Sequence, residues 1–234
     1  MNKRQKLGQH FLKSKKISQL IVDAASITKN ETVLEVGTGQ GILTDLLCSK
    51  AKNVISIEAD RQIYTKMKSK MNNLENLVLI HGNGFKIKRK FDVFVSNLPY
   101  SESRNALEWL AQTRFSRGII MVQKEFADKL VTSVLGERKA ITIIANHCFD
   151  IKKIINVGKN NFDPPPKVDS VALEITKKKT ISPEMVKTIN KIFSYRRKTI
   201  QNILKQFEKQ SDNQKRLDDL TGDEIVKIAK QIIR

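Results

Sequence analysis

The sequence predicts an α/β protein in which a parallel sheet carries helices on both faces and a small, purely helical domain follows. Three observations carry this. Short apolar runs recur through the middle of the chain (ETVLEVG, NVISIEAD, NLVLIHG, FDVFVSN, RGIIMVQ), each bounded by Gly, Asn or Asp as strands are. Amphipathic stretches such as ILTDLLCSKA and RQIYTKMKSKM lie between them, and strand–helix alternation of this kind builds parallel sheets. After SVALEIT the texture changes: KKKT reads as a linker, Ser182 and Pro183 as a helix start, and three polar helices follow without strands. The boundary is expected near Lys177–Lys179, giving domains of residues 1–178 and 179–234.

Composition narrows the function. The 234 residues suffice for one full core and a smaller appendage. Lys and Arg number 43 against 24 Asp and Glu, a net charge of +19 that exceeds what solubility asks of a surface and points to a polyanion partner. Cys48 and Cys148 stand far apart without paired histidines, so neither a disulfide framework nor a zinc site is expected, and a reduced cytoplasm fits. The basic start MNKRQKLGQHFLKSKK lacks the apolar core of a signal peptide, and no window approaches a membrane span. A monomer is expected, since no long apolar surface stripe is readable.

The chemistry of an open α/β sheet gathers at the carboxyl ends of its strands. The first strand ends in EVGTGQG, which places Glu35, Gly37, Gly39 and Gly41 before a helix; glycine there admits positive φ and lets a ligand approach the backbone. The spacing G-x-G-x-G differs from that of nicotinamide dinucleotide sites. The second strand ends at Glu58, with Asp60 beyond it. An acidic side chain about 20 residues past a glycine loop is placed to accept from the two ribose hydroxyls of an adenosine cofactor.

At the end of the fourth strand stands SNLPY. Pro99 holds Leu98 extended, which leaves backbone carbonyls outside the ladder, and Asn97 adds a side-chain carbonyl beside them. Such acceptors suit the N–H groups of an exocyclic amine, and Tyr100 offers a flat face on which a base can stack. A neutral aromatic amine needs no strong base, because it sheds its proton after alkylation. The segment KIKRK supplies Lys86, Lys88, Arg89 and Lys90 for phosphates. Trp109 and Phe126 read as core residues, and His81 and His147 as structural ones.

In this order the motifs EVGTGQG, Glu58 and Asn97–Tyr100 resemble those of class I S-adenosylmethionine-dependent methyltransferases with an Asn-Leu-Pro-Tyr motif, whose sheet is Rossmann-like. LGQHFL (Leu7–Leu12), NNFDPPPKVDS (Asn160–Ser170) and FSYRRKTIQNIL (Phe193–Leu204) resemble, over nearly the whole chain, the ribosomal RNA small subunit methyltransferase A family of rRNA adenine dimethyltransferases. The short C-terminal region is similar to that of archaeal members.

The resemblance implies S-adenosylmethionine as cofactor, contacted by His10, Leu12, Gly37, Gly39, Glu58, Asn83 and Asn97. It implies an acceptor site of Asn97, Leu98, Pro99 and Tyr100, with Phe162 over the opposite face of the base, and RNA contacts from Arg196, Arg197 and Lys198. No metal is implied. The substrate it implies is a pair of adjacent adenosines near the 3′ end of small-subunit rRNA, dimethylated in an immature 30S particle. Two positions depart from the family pattern: His10 stands where Asn is usual, and Asn83 where Asp is usual. Alternatives are an Erm-like enzyme of the large subunit and an RNA-binding assembly or transcription factor without turnover, which Asn83 favours and the intact NLPY opposes.

Overall fold

The computed structural model describes residues 10–233. The strands are β1 (Phe11–Leu12), β2 (Thr32–Val36), β3 (Asn53–Glu58), β4 (Leu77–His81), β5 (Val93–Asn97), β6 (Arg117–Gln123), β7 (Phe149–Val157), β8 (Phe162–Asp163) and β9 (Ser170–Lys177). The helices are α1 (Lys15–Ala24), α2 (Ile42–Lys50), α3 (Arg61–Lys70), α4 (Ser103–Gln112), α5 (Lys124–Leu130), α6 (Ala140–Cys148), α7 (Pro183–Ser194), α8 (Ile200–Lys205) and α9 (Gly222–Ile233).

Seven strands form one sheet in the order β4-β3-β2-β5-β6-β9-β7, and β1 pairs with β8 in a separate two-stranded ribbon. From β4 to β6 the pairing is parallel, and β9 runs antiparallel to β6. The central parallel strands β2, β3 and β5 are buried on both faces and are mostly apolar, whereas the edge strand β4 is partly exposed. Val33, Val54, Val93, Val95, Ile119 and Met121 join Ile21 and Val22 of α1 and Leu43 and Leu47 of α2 in one cluster. The alternate residues Leu34, Phe94 and Ile120 are equally buried.

Local chemistry fixes the helix starts. Ser14 accepts from the Ile17 amide, Asp60 from those of Gln62 and Ile63, and Ser182, followed by Pro183, from that of Met185. Gly41 precedes α2 at φ +80°, a conformation glycine adopts without strain. Arg117 at the start of β6 donates to both carboxylate oxygens of Glu31 and to the carbonyls of Ala25 and Ser26, which ties the α1–β2 connection to the sheet.

The chain divides into two compact units. The first comprises the residues up to Ala106, Arg114–Ala127 and Lys152–Thr176; the second comprises Leu107–Thr113, Asp128–Ile151 and the residues from Lys177 onward. The second unit thus takes in α6, which the sequence expectation placed in the first domain. The reason is apolarity: α6 is buried from Ala140 to Ala145 and at Cys148, too apolar a surface to face water, and α7 and α9 pack against it. In the same unit, Lys177 Nζ donates to the carbonyls of Leu110 and Ala111 and lies 4.8 Å from the Phe149 ring centroid; burial lowers its pKa to about 8. Trp109 and Phe126, expected in the core, are only half-buried.

Candidate active site

The carboxyl ends of β2, β3, β4 and β5 open onto one cleft in the first unit. β2 is flanked by β3 on one side and β5 on the other, so the chain changes direction there, and the loops leaving the two sides part to make room for a ligand. A cavity of about 570 Å³ is lined by Gly37, Glu58, Asp60, Asn83, Phe85 and Glu102, among others. A narrower one beside it, sharing Gly37, Glu58, Leu98 and Pro99, reaches His10, Leu12, Glu35, Asn97, Tyr100 and Phe162. The geometry therefore brings together every expected cofactor and acceptor residue, with Gly39 among those lining the narrower part.

The glycine loop is held from below. Gly37, at φ +89°, donates its N–H to the Ile57 carbonyl at 2.8 Å, and a Cβ there would meet the Asn97 carbonyl at 3.8 Å. Its demand for glycine is thus one of conformation rather than of space. Glu58 is buried, and its two oxygens accept from the Gly39 and Asp60 amides, each at 2.9 Å. A carboxylate has about four acceptor positions, so lone pairs remain for two ligand hydroxyls. Asn83 is exposed; its side-chain oxygen accepts from the Phe85 amide at 2.8 Å and so starts a turn of 3-10 helix, Gly84–Lys86.

Beneath the loop lies a polar network that the sequence did not reveal. Thr44 and Ser56 both donate to Glu35 Oε2 at 2.6 Å, and Thr38 bonds Ser56. Oε1 of Glu35 is buried and, among the described residues, without a partner. Burial pushes the carboxyl up to about 7 despite the two hydroxyls that favour its charged form; the nearby Glu58 adds to the rise. The signal was present in part, since Glu35 opens the glycine motif, but its partners sit on other elements.

The acceptor side is built from three segments. β5 ends at Asn97, whose Nδ2 donates to the His10 carbonyl at 3.2 Å. Leu98 is buried and lines both parts of the cleft. The Tyr100 hydroxyl shares a 2.7 Å hydrogen bond with Ser170 Oγ, which anchors the outer end of the side chain, and burial raises the phenol's pKa. The ribbon of β1 and β8 pairs Phe11 with Asp163 and Leu12 with Phe162, and Lys13 N–H donates to the Asn161 carbonyl. Leu12 and Phe162 are buried in the core cluster while lining the cleft, at 2% and 1% exposure. The ring lying against Tyr100 is that of His10, with centroids 5.6 Å apart and planes tilted by 34°. Leu7, Gly8 and Gln9 of the N-terminal motif fall outside the described residues.

The sequence model of the family described as ribosomal RNA adenine dimethylase matches residues 1–233. The chain belongs to this family. A probable ribosomal RNA small subunit methyltransferase A of Pyrococcus abyssi is 33% identical over 204 residues, 86% of this chain and 75% of that one. Its counterpart in Mycoplasma mobile is 35% identical over 214 residues, 87% of this chain and 84% of that one. Archaeal and bacterial relatives therefore match at a similar level. Among solved structures, a dimethyladenosine transferase from Plasmodium falciparum superposes with a TM-score of 0.80 at 28% identity, over 96% of this chain and 98% of that one. The sheet is accordingly the Rossmann-like one of class I methyltransferases.

The cofactor of the dimethylase family is S-adenosylmethionine, and the donor set fits it. A buried carboxylate with free lone pairs faces the wider cavity, as ribose hydroxyls require, and a positive-φ glycine loop borders it.

The basic residues fall into two groups, one in each unit. Lys86, Lys88, Arg89 and Lys90 are all exposed, on the 3-10 turn and the extended segment behind it rather than on a helix. In the second unit Arg197 and Lys198 are exposed, and Lys191 and Lys198 each place Nζ 5.1 Å from the Tyr195 ring centroid. Arg196 differs from them. Its Nε and Nη2 bind the Asp218 carboxylate, and Nη2 also binds the Gly136 carbonyl. Two of the three basic residues of the RRK triplet are exposed; the third fastens the protein to itself.

Proposed function

We propose that this protein transfers methyl groups from S-adenosylmethionine to N6 of two adjacent adenosines near the 3′ end of small-subunit rRNA, acting as a monomer on an immature 30S particle in the cytoplasm. The observation that carries this is Asn97. Its amide nitrogen donates to the His10 carbonyl, which leaves Oδ1 as the prong for an incoming amine, in a cleft that Leu98, Pro99 and Tyr100 also line; the Pro99 carbonyl itself accepts from the Glu102 amide.

The cofactor, when bound, supplies an electrophilic methyl group on a sulfonium. The protein's own part is to bind and orient. Glu58 offers its remaining lone pairs to the ribose, and Asn83 lines the same cavity at its exposed edge. Asn97 Oδ1 and the backbone beside Pro99 accept the N–H bonds of the adenine amine, so that its lone pair is turned out of ring conjugation toward the methyl donor. The surplus proton passes to water afterwards, since an alkylated aromatic ammonium is a strong acid. Tyr100 stacks on the base, and Phe162 backs the pocket from the core. A base must leave its stack to enter, which favours a loop or helix end as substrate. Lys86, Lys88, Arg89, Lys90, Arg197 and Lys198 supply phosphate contacts.

The test is methyl transfer from labelled cofactor to unmodified 30S particles, to 50S particles and to free rRNA, followed by mass spectrometry of the digested nucleosides. Dimethyladenosine from the 30S substrate supports the proposal. Label confined to large-subunit RNA moves the assignment to an Erm-like activity, and cofactor binding with no transfer to any RNA overturns it.

A further inference from the structure

Three separate interactions converge on His10, a residue whose counterpart in the family pattern is asparagine. Its backbone carbonyl accepts from Asn97 Nδ2 at 3.2 Å. Its ring Nδ1 lies 2.8 Å from the Pro164 carbonyl. Its ring rests against Tyr100. A carbonyl oxygen only accepts, so the Nδ1 atom carries the proton in this bond and donates it.

We propose, resting on the function above, that His10 is a positioning residue of the acceptor pocket, acting through Asn97 and residues 160–164. The Asn97 amide can turn either prong toward the incoming amine, and only the orientation with Nδ2 held elsewhere presents Oδ1 to it. The His10 carbonyl does the holding. That carbonyl is in turn placed by what anchors residue 10: the β1–β8 pairing on one side and the side-chain bond to Pro164 on the other. β1 contributes only Phe11 and Leu12, too short a strand to define position unaided. The imidazole bond closes the ribbon just past its end, and the ring adds contact with Tyr100. Cofactor contact, which the family resemblance assigns to this position, asks nothing of either bond.

The chemistry of the imidazole sets the test. Asparagine places an amide nitrogen near where histidine places Nδ1, whereas glutamine reaches toward Nε2 and alanine toward neither. His10→Asn therefore keeps the bond to Pro164, and His10→Ala and His10→Gln lose it. Expected for His10→Ala and His10→Gln is a fall in kcat for RNA methylation of about ten- to a hundredfold, with cofactor Kd changed less than about twofold and His10→Asn close to wild type. A second readout needs no turnover: hydrogen exchange at the amides of Asn161 and Asp163 should be faster in His10→Ala than in wild type or His10→Asn. A rise in cofactor Kd at unchanged kcat would overturn the inference, as would unaltered exchange in His10→Ala. A wild-type protein that methylates no RNA, yet shows the exchange difference, would refute the proposed function and leave the clamp standing.

Discussion

The Gly39 amide donates to Glu58 Oε2 at 2.9 Å, so the loop that ends β2 is held by the same carboxylate that faces the cavity for the cofactor. One side chain both shapes the loop and binds the ligand. Replacing Glu58 with Gln keeps an acceptor for one amide and turns an N–H donor on the other. Cofactor affinity should fall by about ten- to a hundredfold, the loss of one or two hydrogen bonds to a charged group, and calorimetric titration measures it.

Asn83 stands where the family pattern has Asp. Its Oδ1 already accepts from the Phe85 amide, and an aspartate can do the same while adding charge. Asn83→Asp should keep the 3-10 turn and tighten cofactor binding about fivefold, roughly 1 kcal/mol. The same titration applies, and unchanged affinity would place the adenine amine away from this residue.

Glu35 gives the ligand-free protein a pH dependence whose sign follows from linkage. Its folded pKa, about 7, lies above the reference value of 4.5, so between these values the folded state binds more protons than the unfolded one. Stability from this group is therefore fully present below about pH 4.5 and is lost as pH rises through 7, by up to about 3 kcal/mol. Glu35→Gln should flatten that part of the curve. Urea midpoints of wild type and variant, compared at pH 5 and pH 8, measure it as a difference that other titrating groups share and cancel.

Arg196 and Arg197 should separate, although they are neighbours. Arg197→Ala should leave stability within about 0.5 kcal/mol of wild type and reduce the salt dependence of RNA binding by about one phosphate equivalent. Arg196→Ala removes the bonds to Asp218 and Gly136 and should cost roughly 1–2 kcal/mol of stability. Thermal denaturation and a salt titration of RNA affinity distinguish the two.

The strand ends were legible because each is marked locally: glycines after Val36, an acid after Ile57, Asn-Leu-Pro-Tyr after Ser96. What stayed hidden depends on contacts between residues far apart in sequence. Ser170 bonds Tyr100 across 70 positions, and Pro164 bonds His10 across 154. Neither has a periodicity to announce it. Phe162, expected over the opposite face of the base from Tyr100, lines the cleft yet is almost wholly buried, a depth the sequence did not announce, because the pairing of Leu12 with Phe162 draws both into the core. Arg196 reads like its neighbours until Asp218 is brought beside it. The extent of the second unit was hidden for a similar reason, since α6 precedes the linker in sequence and is covered by helices that follow it.

The most direct measurement is nucleoside mass spectrometry of unmodified 30S particles after incubation with S-adenosylmethionine and either the wild-type protein or Asn97→Ala. Wild type should yield N6,N6-dimethyladenosine in small-subunit rRNA, and Asn97→Ala should lose at least about a hundredfold in rate while still binding the cofactor. Dimethyladenosine formed by Asn97→Ala at the wild-type rate, or a methyl group found on a different base, would contradict the assignment of the amine to Asn97 and the Leu98–Pro99 backbone.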